Sequence, residues 1–368
     1  MKFSVFGPVG YEVDVDEKAK LSGWPWNHEV FEGARAVRSM EHNLELFDVA
    51  DDVGFDWLTT AEHHYAPRQM TPNPTLAAAL LTQRTRNAQV ALLGVDLPLT
   101  DPVRAAEEIA MVDVFSGGTL AVAGFFRGTP NEYLTYGTNA ADSRAMYEEG
   151  VELVVRAWTE PEPFGWEGCY YRHRLVSIWP RPAQEPHPPV LVSGNSPASG
   201  DYAVRNRFNI GLAFVPMPVA AKAAEHFRTR AAEDGWDVTP ENILYRCFCY
   251  VAETDEKARD DCLRHEFGAL GGILTMRPGQ PQPLAPAMME VGAGYGGPPM
   301  PLGPPDTPVV PPLCGSPDTV VEGVRHIREQ VGNGVLDLIM WGDTLPFDLA
   351  RRSLELFGTE VIPHTRDL

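Results

Sequence analysis

The chain has 368 residues, 44% of them apolar, and a formal net charge of -20. That length and apolar content allow two ordinary domains or one large barrel. The acidic balance argues against nucleic acid or an anionic membrane as partner, since both require clustered basic residues. Cysteines at 169, 247, 249, 262 and 314 make no disulfide framework and suit a reducing cytoplasm. The opening "MKFSVFGPVGYEVDVDEK" lacks the apolar region of a signal peptide, and no segment is long enough to span a membrane. A soluble intracellular protein is expected.

Short β-rich runs alternate with helical patterns along the chain. "KFSVFG" reads as the first strand and "SMEHNLELFDVADDVG" as an amphipathic helix ending at Gly54. "FDWLTTAE" and "QVALLGVDL" follow as strands, separated by the helical "NPTLAAALLTQRT". "DPVRAAEEIAMVDVFSGG" is a helix with Asp101 as cap, Pro102 at its first position and Gly117 and Gly118 as its stop. "TLAVAGF" is the fourth strand and "DSRAMYEEGVELVVRAWT" the fourth helix. A hairpin is expected at 164–178, then strands at "PPVLVSG", "FNIGLAFV", "ILYRCFCYVA" and "LDLIMWG", and a closing helix over "PFDLARRSLELFGTEVI". Eight alternating units favour an α/β fold of the closed (β/α)8, or TIM, barrel type over an open sheet. Two stretches break the rhythm: a long first loop at 7–38 and a Pro/Gly-rich insertion at 272–313, of the length and composition of a mobile lid. The glycines of "GAGYGG" inside the insertion follow no strand and open no helix, so they make a poor dinucleotide fingerprint.

In a parallel barrel the working residues sit at the C-terminal ends of the strands. "WLTTAEHHYAP" places Glu62, His63 and His64 there. Neighbours on an extended chain point to opposite faces, so the two histidines do not easily share a metal, and no other ligand spacing supports one. A local hydrogen-bond network and a catalytic or cofactor-facing role both remain open, histidine being the natural proton handler near neutral pH. After the fourth strand, Arg127 has the fork to hold a phosphate or carboxylate, or it pairs at the surface with Glu132. After the fifth, "VLVSGNSPASG" offers Asn195, Ser196 and Ser199 with backbone N–H groups at a helix start, either as an anion site or as simple caps. The same stretch fails as a nucleophile elbow, because Ala198 stands where the last glycine belongs. Cys247 and Cys249 alternate on the seventh strand and read as core packing.

With these residues in hand, the chain resembles the bacterial luciferase-like, flavin-dependent monooxygenases. The resemblance runs through "MKFSVFG", "GFDWLTTAEHHYAP", "PLTDPVRAAEEIAMVDVFSGGTLAVAGFFRG", "DSRAMYEEGVELV" and "HPPVLVSGNSPAS", then "CGSPDTVVEGVRHIREQVGNGVLDLIMWG" and "SLELFGTEVIP". It implies a single TIM-barrel domain over 1–368 that takes reduced FMN from a separate NAD(P)H:flavin reductase. Dioxygen would be activated at the flavin C4a position to oxygenate a small organic substrate, in a homodimer or homo-oligomer. His63 matches the histidine tied to C4a-hydroperoxide chemistry, with Glu62 and His64 as its neighbours. Arg127, Ser196 and Ser199 match the phosphate side, and the Leu93–Gly94 bond matches a cis peptide that approaches the flavin ring. Two departures stand out: Phe126 occupies the place of the family's reactive cysteine, and Asn195 that of a glutamate. They put aldehyde oxidation and light emission in doubt, but not flavin binding. The insertion falls where the family carries a mobile loop, and with Trp24 and Trp26 it would shield the site from water. An F420-dependent hydride-transfer enzyme on the same barrel and a non-catalytic flavin-binding subunit are the alternatives.

Overall fold

The apolar run at the N-terminus forms β1 (Lys2–Phe6), and its alternation divides two environments. Phe3 and Val5 face a surrounding layer of helices, while Ser4 and Phe6 face inward. The same alternation recurs in β2 (Trp57–Thr60), β3 (Gln89–Asp96), β4 (Ala123–Phe126), β7 (Val190–Ser193), β8 (Asn209–Ala213), β9 (Ile243–Val251) and β11 (Val335–Ile339). These strands pair in parallel in the order β1-β2-β3-β4-β7-β8-β9-β11, and β11 returns to β1 to close an eight-stranded barrel. All eight strands lie where the sequence pattern puts them. The computed structural model describes residues 1–20, 28–64, 69–268 and 311–368. Trp24, Trp26, Tyr65, the "GAGYGG" glycines and nearly all of the 272–313 insertion lie outside the described residues.

The expected hairpin is present as the antiparallel pair β5 (Phe164–Glu167) and β6 (Arg172–Val176). A short strand, β10 (Leu313–Gly315), pairs in parallel with the second half of β9. The first connection differs from its expected extent of 7–38. It holds a short helix, α1 (Val15–Lys20), and α2 (Gly33–Asp52) starts six residues before the expected Ser39. The added turn, "GARAVR", is mostly exposed and rich in Ala and Arg, which favour helix without needing an apolar face. Between β2 and β4 lie α3 (Pro74–Thr82) and α4 (Pro102–Phe115). As expected, Asp101 caps α4 by accepting from the Val103 and Arg104 N–H groups, at 2.9 and 3.3 Å.

Inside the barrel the inward side chains stack in layers. At the bottom, Trp57, Ala91, Leu93, Leu191, Leu244 and Val335 pack together. Above them Ser4, Arg246 and Asp337 form a buried polar layer. Phe6, Ala61 and Ile339, joined by Phe214 and Phe248, form the top apolar layer. Cys247 and Cys249 point the other way into the helical layer and are buried there, in agreement with the packing role read from their spacing. Among the described residues, no helix is long and apolar enough to cross a membrane.

Candidate active site

The rim above that apolar layer carries the expected histidines. Glu62 follows β2, and its backbone N–H donates to the Gly94 carbonyl at 3.0 Å, tying the end of β2 to β3. Its carboxylate bridges two groups, His64 Nε2 at 3.0 Å and the Asp96 backbone N–H at 3.0 Å. Tyr136 packs its ring 4.9 Å from that of His64, with its hydroxyl 3.3 Å from Nδ1. His63 points elsewhere: its Nδ1 lies 3.3 Å from Oε1 of Glu132, and the same oxygen accepts the His64 backbone N–H at 3.2 Å. Adjacent histidines thus serve separate carboxylates, as the alternation of an extended chain requires.

Glu132 is where the sequence reading needs correction. Instead of a surface partner for Arg127, it is a buried carboxylate, 2% exposed. It sits in α5 (Pro130–Tyr136), a short helix that starts with a capping box: Oε2 of Glu132 reaches back to the Thr129 N–H at 2.6 Å. Burial by itself raises the Glu132 carboxyl, but the His63 hydrogen bond and charge and the Thr129 cap outweigh it and hold the group below its ordinary value. The Thr-x-x-Glu spacing was legible in the sequence as a helix start; its contact with His63, 69 residues away, was not.

Asp96, at the end of β3, is a second residue that the sequence reading passed over. It is 4% exposed, and its Oδ2 is buried without a well-formed hydrogen bond. Burial raises its carboxyl well above the ordinary range, and the charges of Glu132 and Glu62 raise it further, against a smaller pull from the Gly128 N–H. Asp96 is therefore, of the three acids, the one whose surroundings most oppose ionisation. Gly128 has a φ of +77°, and a Cβ there would lie 3.2 Å from Asp96 Oδ2, so both conformation and space call for glycine.

The Leu93–Gly94 peptide bond is cis, at the position that the resemblance singled out. A Cβ on Gly94 would fall 2.3 Å from the Gly124 carbonyl oxygen, so the close approach of β3 and β4 admits no side chain there. Arg127 leaves β4 on the neighbouring side. Phe125 is in register with Val192, so β4 and β7 run side by side, and Arg127 and the loop after β7 follow directly from the ends of neighbouring strands. That loop enters α7 (Pro197–Asn206), which begins before the expected "DYAVRN" because Ser196 caps it. Ser196 Oγ accepts the Ser199 N–H at 3.3 Å and lies 2.9 Å from Ser199 Oγ. The capping alternative is thus realised, and it leaves both hydroxyls at a helix N-terminus beside the Arg127 strand. Two further contacts join the sides: Arg144 donates to the Ala198 carbonyl at 3.3 Å, and the Tyr147 and Tyr202 rings lie 6.0 Å apart. Asn195 is turned toward β8, where its amide donates to the Ala213 carbonyl at 2.9 Å and accepts the Ala213 N–H at 3.2 Å. Among the described residues, no group of three or more His, Cys, Asp or Glu side chains is placed to hold a metal ion.

The barrel thus carries histidines and carboxylates on one part of its rim, and on the next an arginine that follows β4 beside the strand leading to a capped helix N-terminus. The family model for luciferase-like monooxygenases matches residues 1–333, and the chain belongs to that family. The oxygenase component of the flavin-dependent trigonelline monooxygenase of Acinetobacter baylyi is 28% identical over 223 residues, 59% of this chain and 60% of that protein. Limonene 1,2-monooxygenase of Rhodococcus erythropolis is 24% identical over 348 residues, 92% of this chain and 84% of that one. The crystal structure of monooxygenase RslO1 from Streptomyces bottropensis superposes with a TM-score of 0.77 at 27% identity, covering 99% of both chains. The chain spans about three fifths of the length of several curated relatives that it matches.

Proposed function

We propose that this protein is the oxygenase component of a two-component flavin-dependent monooxygenase. It takes reduced FMN from a separate NAD(P)H:flavin reductase and uses dioxygen to oxygenate a small organic substrate in the cytoplasm. The observation that carries this reading is the connection after β4. It starts Arg127 from the strand beside the one whose loop leads into α7 and, five residues later, sets the buried Glu132 against His63. The trigonelline relative, named as an oxygenase component, supports the division of labour with a reductase.

The donor set fits FMN. Arg127, the Ala198 N–H at the start of α7 and the hydroxyls of Ser196 and Ser199 would hold its phosphate, since a guanidinium and a helix N-terminus both favour a dianion. Leu93 and Gly94 would contact its ring. When bound, reduced FMN supplies the two electrons that activate dioxygen. The side chains of this protein do the rest. Glu132 holds His63 through Nδ1, which orients Nε2 to retain or deliver a proton at the rim. Glu62 fixes His64 through Nε2 and, by binding the Asp96 N–H, couples the ends of β2 and β3. The layer of Phe6, Ala61, Phe214, Phe248 and Ile339 beneath them keeps water from the reacting groups. Asn195 acts at one remove, by fixing the loop before α7 against β8.

Arg127→Ala tests the phosphate side. It should weaken FMN binding by about 1.5–3 kcal/mol, the worth of a hydrogen bond to a charged group, and weaken riboflavin binding far less. Equal losses for the two ligands in a fluorescence titration would overturn the assignment. Oxygen uptake by the protein mixed with reduced FMN separates this reading from an F420-dependent dehydrogenase and from a non-catalytic subunit, neither of which should direct oxygen into a product.

A further inference from the structure

Two of the five cysteines lie in contact in elements that carry none of the site residues described above. Cys262 is in α9 (Asp255–Arg264) and Cys314 in β10, and their sulfurs are 3.7 Å apart across 52 residues of chain. Both elements are anchored independently. Cys314 is in register with Tyr250 of β9, between the Leu313–Cys249 and Gly315–Val251 pairs. Asp255, at the start of α9, accepts the Ser316 N–H at 2.7 Å and the Thr319 hydroxyl at 3.0 Å, binding α9 to the chain that leaves β10. The two sulfurs are thus held together by the fold. Cys262 is fully buried and Cys314 only partly so.

We propose that Cys262 and Cys314 form a peroxide-modifiable thiol pair, with Cys314 as the attacking sulfur and Cys262 as the resolving one. The chemistry closes with hydrogen peroxide as oxidant. The Cys314 thiolate attacks one peroxide oxygen, the O–O bond breaks, and after one proton is taken up the products are a sulfenic acid and water. The Cys262 sulfur then attacks the Cys314 sulfur, the S–O bond breaks, and a disulfide and a second water form. Two thiols are oxidised by two electrons, and one peroxide is reduced. The sulfurs must close from 3.7 Å to about 2 Å, a small shift for side chains already in contact. The order of attack follows from the surroundings. The hydrogen bond from Cys262, the largest influence, lowers the Cys314 thiol, and Arg259 helps; burial, Asp255 and Asp261 oppose them. Donating that hydrogen bond raises Cys262, as do its burial and the nearby Cys314, Cys249 and Asp261. The thiolate therefore forms on the partly exposed sulfur, where peroxide can reach it. The cross-link would pin α9 to β10, the elements on either side of residues 269–310 in the chain. The pair stands on its own geometry and not on the flavin reading, although an oxygenase running without substrate would release the same oxidant.

The test uses the full chain. It is treated with a few equivalents of hydrogen peroxide, the remaining thiols are alkylated, and the peptides are mapped by mass before and after reduction. The expected result is a Cys262–Cys314 peptide that disappears on reduction, with the other three of the five cysteines alkylated. The exposed Cys169 serves as an internal control. Cys262→Ser should instead accumulate a dimedone-reactive sulfenic acid at Cys314 that the unmodified chain does not. Alkylation of all five cysteines after peroxide, or equal dimedone labelling of Cys314 with and without Cys262, would overturn the proposal.

Discussion

Two polar networks lie one layer apart in this barrel, and they are built on opposite lines. In the lower one, Asp337 accepts the Ser4 hydroxyl at 2.6 Å and Arg246 Nε at 2.5 Å, and the guanidinium covers the Phe6 ring at 3.9 Å. Its two charged side chains are 6% and 0% exposed, and each charge meets its complement. Among the described residues, the upper network of Glu62, His63, His64, Asp96 and Glu132 has three acids for two histidines and contacts of 3.0–3.3 Å between the side chains. It includes a buried carboxyl oxygen without a proper partner, and the His63 side chain is 25% exposed. A closed, balanced network fixes geometry. An unbalanced one with titratable groups at the rim stores alternative proton positions, which is what acid–base chemistry uses. The difference is what the proposed catalytic role of the rim network rests on, and it can be tested without reference to any ligand.

The sharpest way to break that contrast is to truncate one residue in each network. His63→Ala should lower product formation by about 10²–10⁴-fold, the usual worth of a positioned acid or base, while FMN affinity stays nearly intact. Stopped-flow mixing of dioxygen with the reduced complex, with product and peroxide quantified, measures it; turnover at the unmodified rate would make the rim network structural too. Asp337→Ala should act the other way round. Leaving Arg246 buried and unpaired should cost about 3–5 kcal/mol of stability, read from urea unfolding, with the rate per folded molecule maintained. A mild loss of stability with a collapse in rate would erase the distinction.

A smaller effect is expected from Glu132→Gln, which keeps the shape but replaces a charged acceptor by a neutral one. Product formation should fall about tenfold, the difference between charged and neutral hydrogen bonds. The Glu132 carboxyl lies below its ordinary value in the folded protein, so its contribution to stability is present above the unfolded pKa and is lost as pH falls through the folded one. Acid unfolding followed by circular dichroism should therefore be less steep in the variant. The smallest effect is a gain. Asp96 is shifted upward, so the folded state holds a proton that the unfolded chain releases, and stability declines as pH rises between the two pKa values. Asp96→Asn should remove that decline, a stabilisation growing by at most about 1.4 kcal/mol per pH unit above pH ~4. An equal pH dependence in both proteins would mean that Asp96 is ionised, and that the upper network is more like the lower than its geometry indicates.

Much of the upper network was legible in part. The triplet Glu62-His63-His64 at a strand end marked the site, and alternation along the chain foretold that the histidines diverge. Asp96 was visible only as the last residue of a strand, and nothing local distinguishes it from a helix-capping aspartate such as Asp101. Glu132 was read only as a surface partner for Arg127, and its burial goes with contacts to His63 and His64 that lie far off in the sequence.

By itself the sequence determined the order of strands and helices, the closure of eight parallel strands, and the strand ends on which the histidines, Arg127 and the serines lie. Period-two and helical patterns are local, and right-handed crossovers leave few ways to assemble them. Only the tertiary structure decided which carboxylate holds which histidine, that burial raises the Asp96 carboxyl, and that Asn195 faces β8. Those outcomes depend on contacts made across tens of residues, on register and on the loss of solvent. A hydrogen bond between residues 69 positions apart leaves no periodicity for a sequence to display.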